Sequence, residues 1–243
     1  MDNVVLKSSL KNKTDLVLRM ARYNLKIIFA GRFIWFVLAA LFFFIALSFQ
    51  LAYTKASFDS SDIYSILMIP GILLVFYPTV FGIQNDADSR ILEILFGIPD
   101  YRYKVWLIRL FMIFLLTWAI VYLFSWVGYL TLVQIPVFNM SFQLMFPVLF
   151  LGSLAFLVST IVKNGNGTAV VMILLGVVLL MMSQTLGNTQ WNVFHNPYGI
   201  PQRMNEMVWA QISQKNRLFL SLGSLVFLLG GLTNLQKRES FLK

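Results

Sequence analysis

An all-α polytopic membrane protein with six transmembrane helices is the fold class this sequence predicts, and three observations carry it. The 243 residues are 58% hydrophobic and 12% charged, which is more apolar surface than a water-soluble domain of this size can bury. Six stretches of about 20 residues are almost free of charge, the length that crosses ~30 Å of hydrocarbon as a helix. The basic residues gather on one side of those stretches.

The spans are predicted at 33–53, 63–83, 110–133, 142–162, 168–186 and 218–235. Pro70, Pro78 and Pro147 fall inside them; each removes a backbone donor and is expected to kink its helix. With the N-terminus inside, 15 of the 19 Lys and Arg lie on the cytoplasmic side, and Lys55, Arg203, Lys215 and Arg217 lie outside. This bias predicts a multi-pass protein of the cytoplasmic (inner) membrane with both termini in the cytoplasm. The net charge of +9 is then a topology signal, and membrane lipids rather than nucleic acid are the expected contacts. Residues 1–32 are too polar for a signal peptide. They are expected to remain as a cytoplasmic segment before a 33–235 core and a cytoplasmic tail at 236–243, all in one transmembrane domain.

The chain has no Cys, so disulfides and thiolate metal sites are excluded. None of the six predicted spans contains Asp, Glu, Lys, Arg or His. A charge at the bilayer centre costs about 2.5–3.5 kcal/mol even on insertion scales, so such residues persist there for function. Their absence argues against a proton relay or an ion-driven carrier, although unwound backbone carbonyls could still bind Na⁺.

Two segments of the cytoplasmic side read as amphipathic helices. Over residues 15–28, Asp15, Arg19, Arg22 and Lys26 form one charged stripe, while Leu16, Val17, Met20, Ile27 and Ile28 lie elsewhere around the helix. Such a helix suits the headgroup interface, with contact to a cytoplasmic partner as the alternative. Over residues 86–99, Asp86, Arg90, Glu93 and Gly97 form a polar stripe opposite Ile91, Leu92, Leu95 and Ile98. Asp86 and Asp88 complement the dipole at its start, and Gly97 followed by Pro99 stops it. This helix either steadies the second and third spans or meets another protein. Arg102, Lys104 and Arg109 then mark the cytoplasmic edge of the third span.

The stretch DADSRILEILFGIPDYR resembles a segment of the type-2 ABC transporter permease family. Members carry an acidic, helix-forming stretch after the second span, with a Leu-Glu pair, a Pro six residues after that Glu and a basic residue three beyond. Leu92 and Glu93 match the pair, Pro99 the proline and Arg102 the basic residue, with Asp86 and Asp88 at the acidic positions. Arg90 and Ile91 depart from the Gly and Thr common in relatives. The order of elements is similar over nearly the whole chain: an inner-face helix, two spans, this loop, four spans, and a longer outer segment before the last.

The resemblance implies a permease subunit of an ABC-type exporter. The short helix would be a coupling helix docked on a separate ATP-binding subunit, so that Asp86, Asp88, Arg90 and Glu93 face that ATPase or orient the loop that does. It implies two ATP-binding subunits per complex and a second permease, identical or different. ATP and Mg²⁺ would sit on the partner; no cofactor is expected in this chain, which lacks a G-x-x-x-x-G-K-[ST] loop.

The outer segment 187–217 holds Trp191, Phe194, Tyr198 and Trp209. Aromatics at this density are expected to dip into the outer interface. The resemblance implies short re-entrant helices here, making these four residues candidates for an outer gate. His195, the single His, has no second ligand type beside it and is expected to pack rather than bind metal. An intramembrane enzyme is not expected, because no H-E-x-x-H, no G-x-S-x-G and no pair of membrane-depth carboxylates occurs. A subunit that passes ATPase-driven motion to an extracytoplasmic protein without moving a substrate is the alternative function. The cargo is open among lipids, amphipathic peptides, drugs and sugar-lipid conjugates. Ser48, Gln50, Thr79, Thr117, Ser125, Ser159 and Gln184 are among the polar side chains in or beside the spans that could meet it.

Overall fold

A computed structural model describes residues 33–54, 57–88 and 102–235, without the side chains of 87, 88 and 102–104. The 15–28 helix with Asp15, Arg19, Arg22 and Lys26, and the segment carrying Arg90, Glu93 and Pro99, lie outside the described residues. Within them the fold is all-α. The helices are α1 (Phe33–Thr54), α2 (Ser60–Asp88), α3 (Ile108–Thr131), α4 (Val137–Val162), α5 (Gly165–Leu186) and α6 (Glu206–Asn234), and a π-helical turn, Arg102–Leu107, leads into α3. All six are long and apolar enough to cross a membrane, so the chain is a multi-pass membrane protein.

α4 is the centre of the bundle, packing most extensively against α6 and then α2. Its sequence explains why. Gly152, Ser153, Ala155 and Ser159 are small and buried, and small residues let helices approach closely where lipid supplies no hydrophobic drive for association. A Cβ on Gly152 would stand 2.7 Å from Phe114 of α3 and 2.8 Å from Val75 of α2, so three helices converge there. On α6, Gly231 leaves the space that the Phe156 ring of α4 fills, 2.6 Å from where a Cβ would lie. The Ser159 hydroxyl donates to the Val80 carbonyl at 3.2 Å, adding a polar tie between α4 and α2.

α1 and α5 are peripheral. Of their most apolar windows only 11% and 6% of residues are buried, so lipid or another polypeptide must cover the rest. α1 rests on its neighbours through Ala40 and through Phe36 on Tyr77 (4.8 Å) and Phe44 on Phe124 (5.3 Å). α5 touches the bundle mainly by its first turns, where Gly165, Thr168 and Met172 are buried. α4 and α5 join in a tight turn: Lys163 adopts the left-handed conformation, φ 60°, and the Asn164 side chain caps α5 by accepting from the Gly167 amide at 3.1 Å.

The helices exceed the predicted spans at several ends. α2 runs unbroken through Pro70 and Pro78 to Asp88, and α6 begins at Glu206, well before residue 218. The first turns of α6 are polar, but they are capped by Asn205 accepting from the Met207 amide at 3.0 Å and anchored by buried Trp209, Ser213 and Asn216. A hydropathy threshold cannot register a helix held in that way. As a consequence the helices carry charged residues beyond the predicted spans, among them Asp86, Arg109 and Arg217, while the predicted spans themselves are free of charge.

Candidate functional site

The end of α2 and the start of α3 are joined by an ion pair. Nη1 of Arg109 donates to Oδ2 of Asp86, and both side chains are almost wholly buried. The guanidinium lies over the Trp106 ring, 4.8 Å from its centroid, and Trp106 packs against Phe156 of α4 at 6.0 Å. Phe33, Leu232 and Leu235 complete the same apolar cluster. Asp86 thus sits in the last turns of α2, where its charge opposes the helix dipole and Arg109 offsets it.

This corrects two expectations. Asp86 neither begins a new amphipathic helix nor faces outward, because its carboxylate is turned into the bundle; Asp88 belongs to the same final turn of α2. Arg109, in the first turn of α3, is a buried partner of Asp86 and not an exposed edge residue. Arg102 lies in the π-helical turn. The pair ties together residues 23 positions apart and so closes the neck of the 87–108 connection.

The second feature is a groove of about 710 Å³ between α1, α2, α4 and α5. Phe36, Met68, Ile72, Met172, Val177 and Phe194 are among the side chains that line it, and among the described residues Ser65 and Thr79 are its only polar side chains. Both hydroxyls are satisfied within the chain: Thr79 donates to the Val75 carbonyl (2.7 Å), while Ser65 donates to Ser61 (3.0 Å) and accepts from Asn196. A guest would therefore meet hydrocarbon. Of the other polar span residues, Ser48, Ser125 and Ser159 donate to backbone carbonyls, Thr117 is buried in α3, and Gln50 and Gln184 are exposed.

The third feature caps the opposite end. Residues 187–205 form turns rather than re-entrant helices. Asn196 donates to the Ser61 carbonyl at 2.9 Å and to Ser65 at 3.1 Å, fixing the cap to the start of α2. Asn216 of α6 donates to the Gln190 and Asn192 carbonyls at 2.9 and 2.8 Å. His195 is buried, with Nε2 2.8 Å from Ser213 Oγ and its ring 4.5 Å from that of Trp209. Burial and then the Arg217 charge lower its pKa to about 4, so it is neutral near pH 7.

The four aromatic candidates do not form one gate. Trp209 is buried in α6 and donates to the Pro197 carbonyl at 3.1 Å. Tyr198 packs on Tyr64 at 5.9 Å, with burial raising its pKa against the opposing Arg217 charge. Phe194 reaches the mouth of the groove, and Trp191 stands apart against Phe219 at 5.1 Å. Among the described residues, no cluster of three His, Asp or Glu could hold a metal ion.

No family model, curated protein or solved structure matches this chain. A functional reading rests on these three features and the sequence.

Proposed function

We propose that the chain is a transmembrane permease subunit of an ABC-type exporter, driven by a separate ATP-binding subunit that engages the segment around Glu93. The observation that carries this reading is the buried Asp86–Arg109 pair, which holds both ends of that segment to the bundle. A lever needs such a neck: without it, a push on a loop between two helices dissipates in the connection. α2, 29 residues long, then carries displacement over about 43 Å at 1.5 Å per residue. The basic end faces the cytoplasm in this reading, as the distribution of Lys and Arg requires, and α1 and α5 offer their uncovered faces to a second permease and to lipid.

A second reading, in which motion is passed to an extracytoplasmic protein and nothing crosses, is supported by the bonds from Asn196 to Ser61 and Ser65. They fix the 187–205 cap to the far end of the same helix. Export is the preferred reading because of the 710 Å³ groove, which a purely mechanical subunit would not need. The test is Glu93→Arg in the reconstituted complex. It is expected to abolish ATPase stimulation while membrane insertion is kept; unchanged coupling removes the docking role.

A further inference from the structure

At the capped end, Arg217 borders a small polar cavity of about 10 Å³ that it shares with Tyr64, Gln143, His195, Ser213 and Asn216. That is room for about one water-sized group. Its depth follows from helix lengths. About 20 residues cross the hydrocarbon; counted back from Asn234 of α6 they end near Lys215, and counted back from Val162 of α4 they end near Gln143. Two helices thus independently place Arg217, Gln143 and Phe146 where the hydrocarbon of one leaflet meets its headgroups.

The donors and acceptors around the cavity are unevenly matched. The Asn216 amide is taken by two backbone carbonyls, the Gln143 amide donates to Asn139 at 3.0 Å, and Ser213 is paired with His195. Arg217 has no acceptor among the described residues: its Nε is buried without a partner, and its guanidinium only overlies the Phe146 ring at 5.9 Å. Nδ1 of His195, in a residue 3% exposed, is also buried without a partner. No carboxylate lines the cavity; of those at the same end, Asp59 and Glu206 are exposed, and the half-buried Asp62 accepts from the Asp59 amide at the start of α2. A half-buried guanidinium at the edge of the hydrocarbon, with no acceptor from the described residues, reaches headgroup oxygens by snorkelling, and its fork geometry suits phosphate.

We propose that Arg217 and the cavity behind it bind a phosphate group at the headgroup level of that leaflet, with one oxygen in the cavity and the rest of the group outside. A phosphodiester of a membrane lipid and free inorganic phosphate share this chemistry. The site would hold or select a phosphate-bearing lipid beside the groove, whose Phe194 neighbours His195 in the cap.

The chain has one His, so its side-chain nitrogens give an unambiguous NMR signal from the site. The full-length ¹⁵N-His-labelled protein is purified in a maltoside detergent and titrated separately with phosphatidylglycerol, with inorganic phosphate and with an uncharged glycolipid. A saturable shift of the His195 signals with phosphatidylglycerol alone supports a lipid headgroup site, and one with inorganic phosphate supports a free-anion site. No shift with either in the native chain overturns the proposal, as does an equal response to the glycolipid. Arg217→Gln should abolish the shift, and Arg217→Lys, which keeps the charge but loses the fork, should weaken binding roughly tenfold. A native-like response in Arg217→Gln overturns it too. Should that variant fail to fold, the native titration and Arg217→Lys decide between the same outcomes.

Discussion

Removing the carboxylate of Asp86 while keeping its shape, in Asp86→Asn, leaves the Arg109 guanidinium buried and uncompensated. Arg109 cannot shed its proton in a protein, and both side chains are nearly inaccessible. Breaking a buried pair from one side costs about 3–5 kcal/mol; the Trp106 ring 4.8 Å away faces the guanidinium in native and variant chains alike, so the low end of that range is expected. The single variant should therefore lose about 3 kcal/mol. Arg109→Met, which fills much of the same space with an apolar side chain, relieves the stranded cation; Asp86→Asn/Arg109→Met should recover most of the loss, since apolar replacement of both partners is often neutral or better. Reversible unfolding in mixed micelles, followed by circular dichroism, gives the three free energies of a double-mutant cycle. A single-variant cost below about 1 kcal/mol, or a double variant equal to the sum of its parents, would refute the assignment of this pair as the neck of the 87–108 connection.

Other outcomes follow from the packing and the cap. Gly152→Val should destabilise the bundle by about 1–3 kcal/mol, because its Cβ would meet Phe114 and Val75 within 2.8 Å, whereas Gly176→Ala, with nothing within 4 Å, should cost little in the same assay. His195 has its pKa lowered from 6.5 to about 4, so the unfolded chain binds the extra proton between those values. The corresponding stability is present above pH 6.5 and is lost as the pH falls toward 4, at most about 3 kcal/mol. His195→Gln should remove that slope from the pH dependence of the unfolding midpoint, and an unchanged slope would assign it to other groups.

The spans were legible because burial in lipid demands unbroken apolar runs, and α1 matches its predicted bounds within one residue. Charges near span ends misled the reading for one physical reason. A window of hydropathy treats Asp86, Arg109 and Arg217 as the place where a helix leaves the bilayer, although a helix can run on past its apolar run: Asp86 and Arg109 compensate each other, and α6 is carried past Arg217 by the buried Trp209, Ser213 and Asn216. For Asp86 and Arg109 a signal existed: opposite charges flank one connection at the ends of consecutive spans. The His195–Ser213 and Asn216 contacts had none, since they join a turn-rich segment to a helix whose polar first turns look like loop. The groove was likewise invisible, because it arises from α5 leaning on the bundle by one end only.

The central claim is that the segment around Glu93 meets a nucleotide-binding polypeptide and passes its movement to α2 and α3. The most direct measurement places a photo-crosslinking amino acid at position 90, on the predicted polar stripe that carries Glu93, and irradiates native membranes. The account predicts one protein adduct containing an ATP-binding subunit, with a yield that changes when ATP is trapped. Adducts with lipid alone, in membranes where the chain is fully inserted, would contradict it.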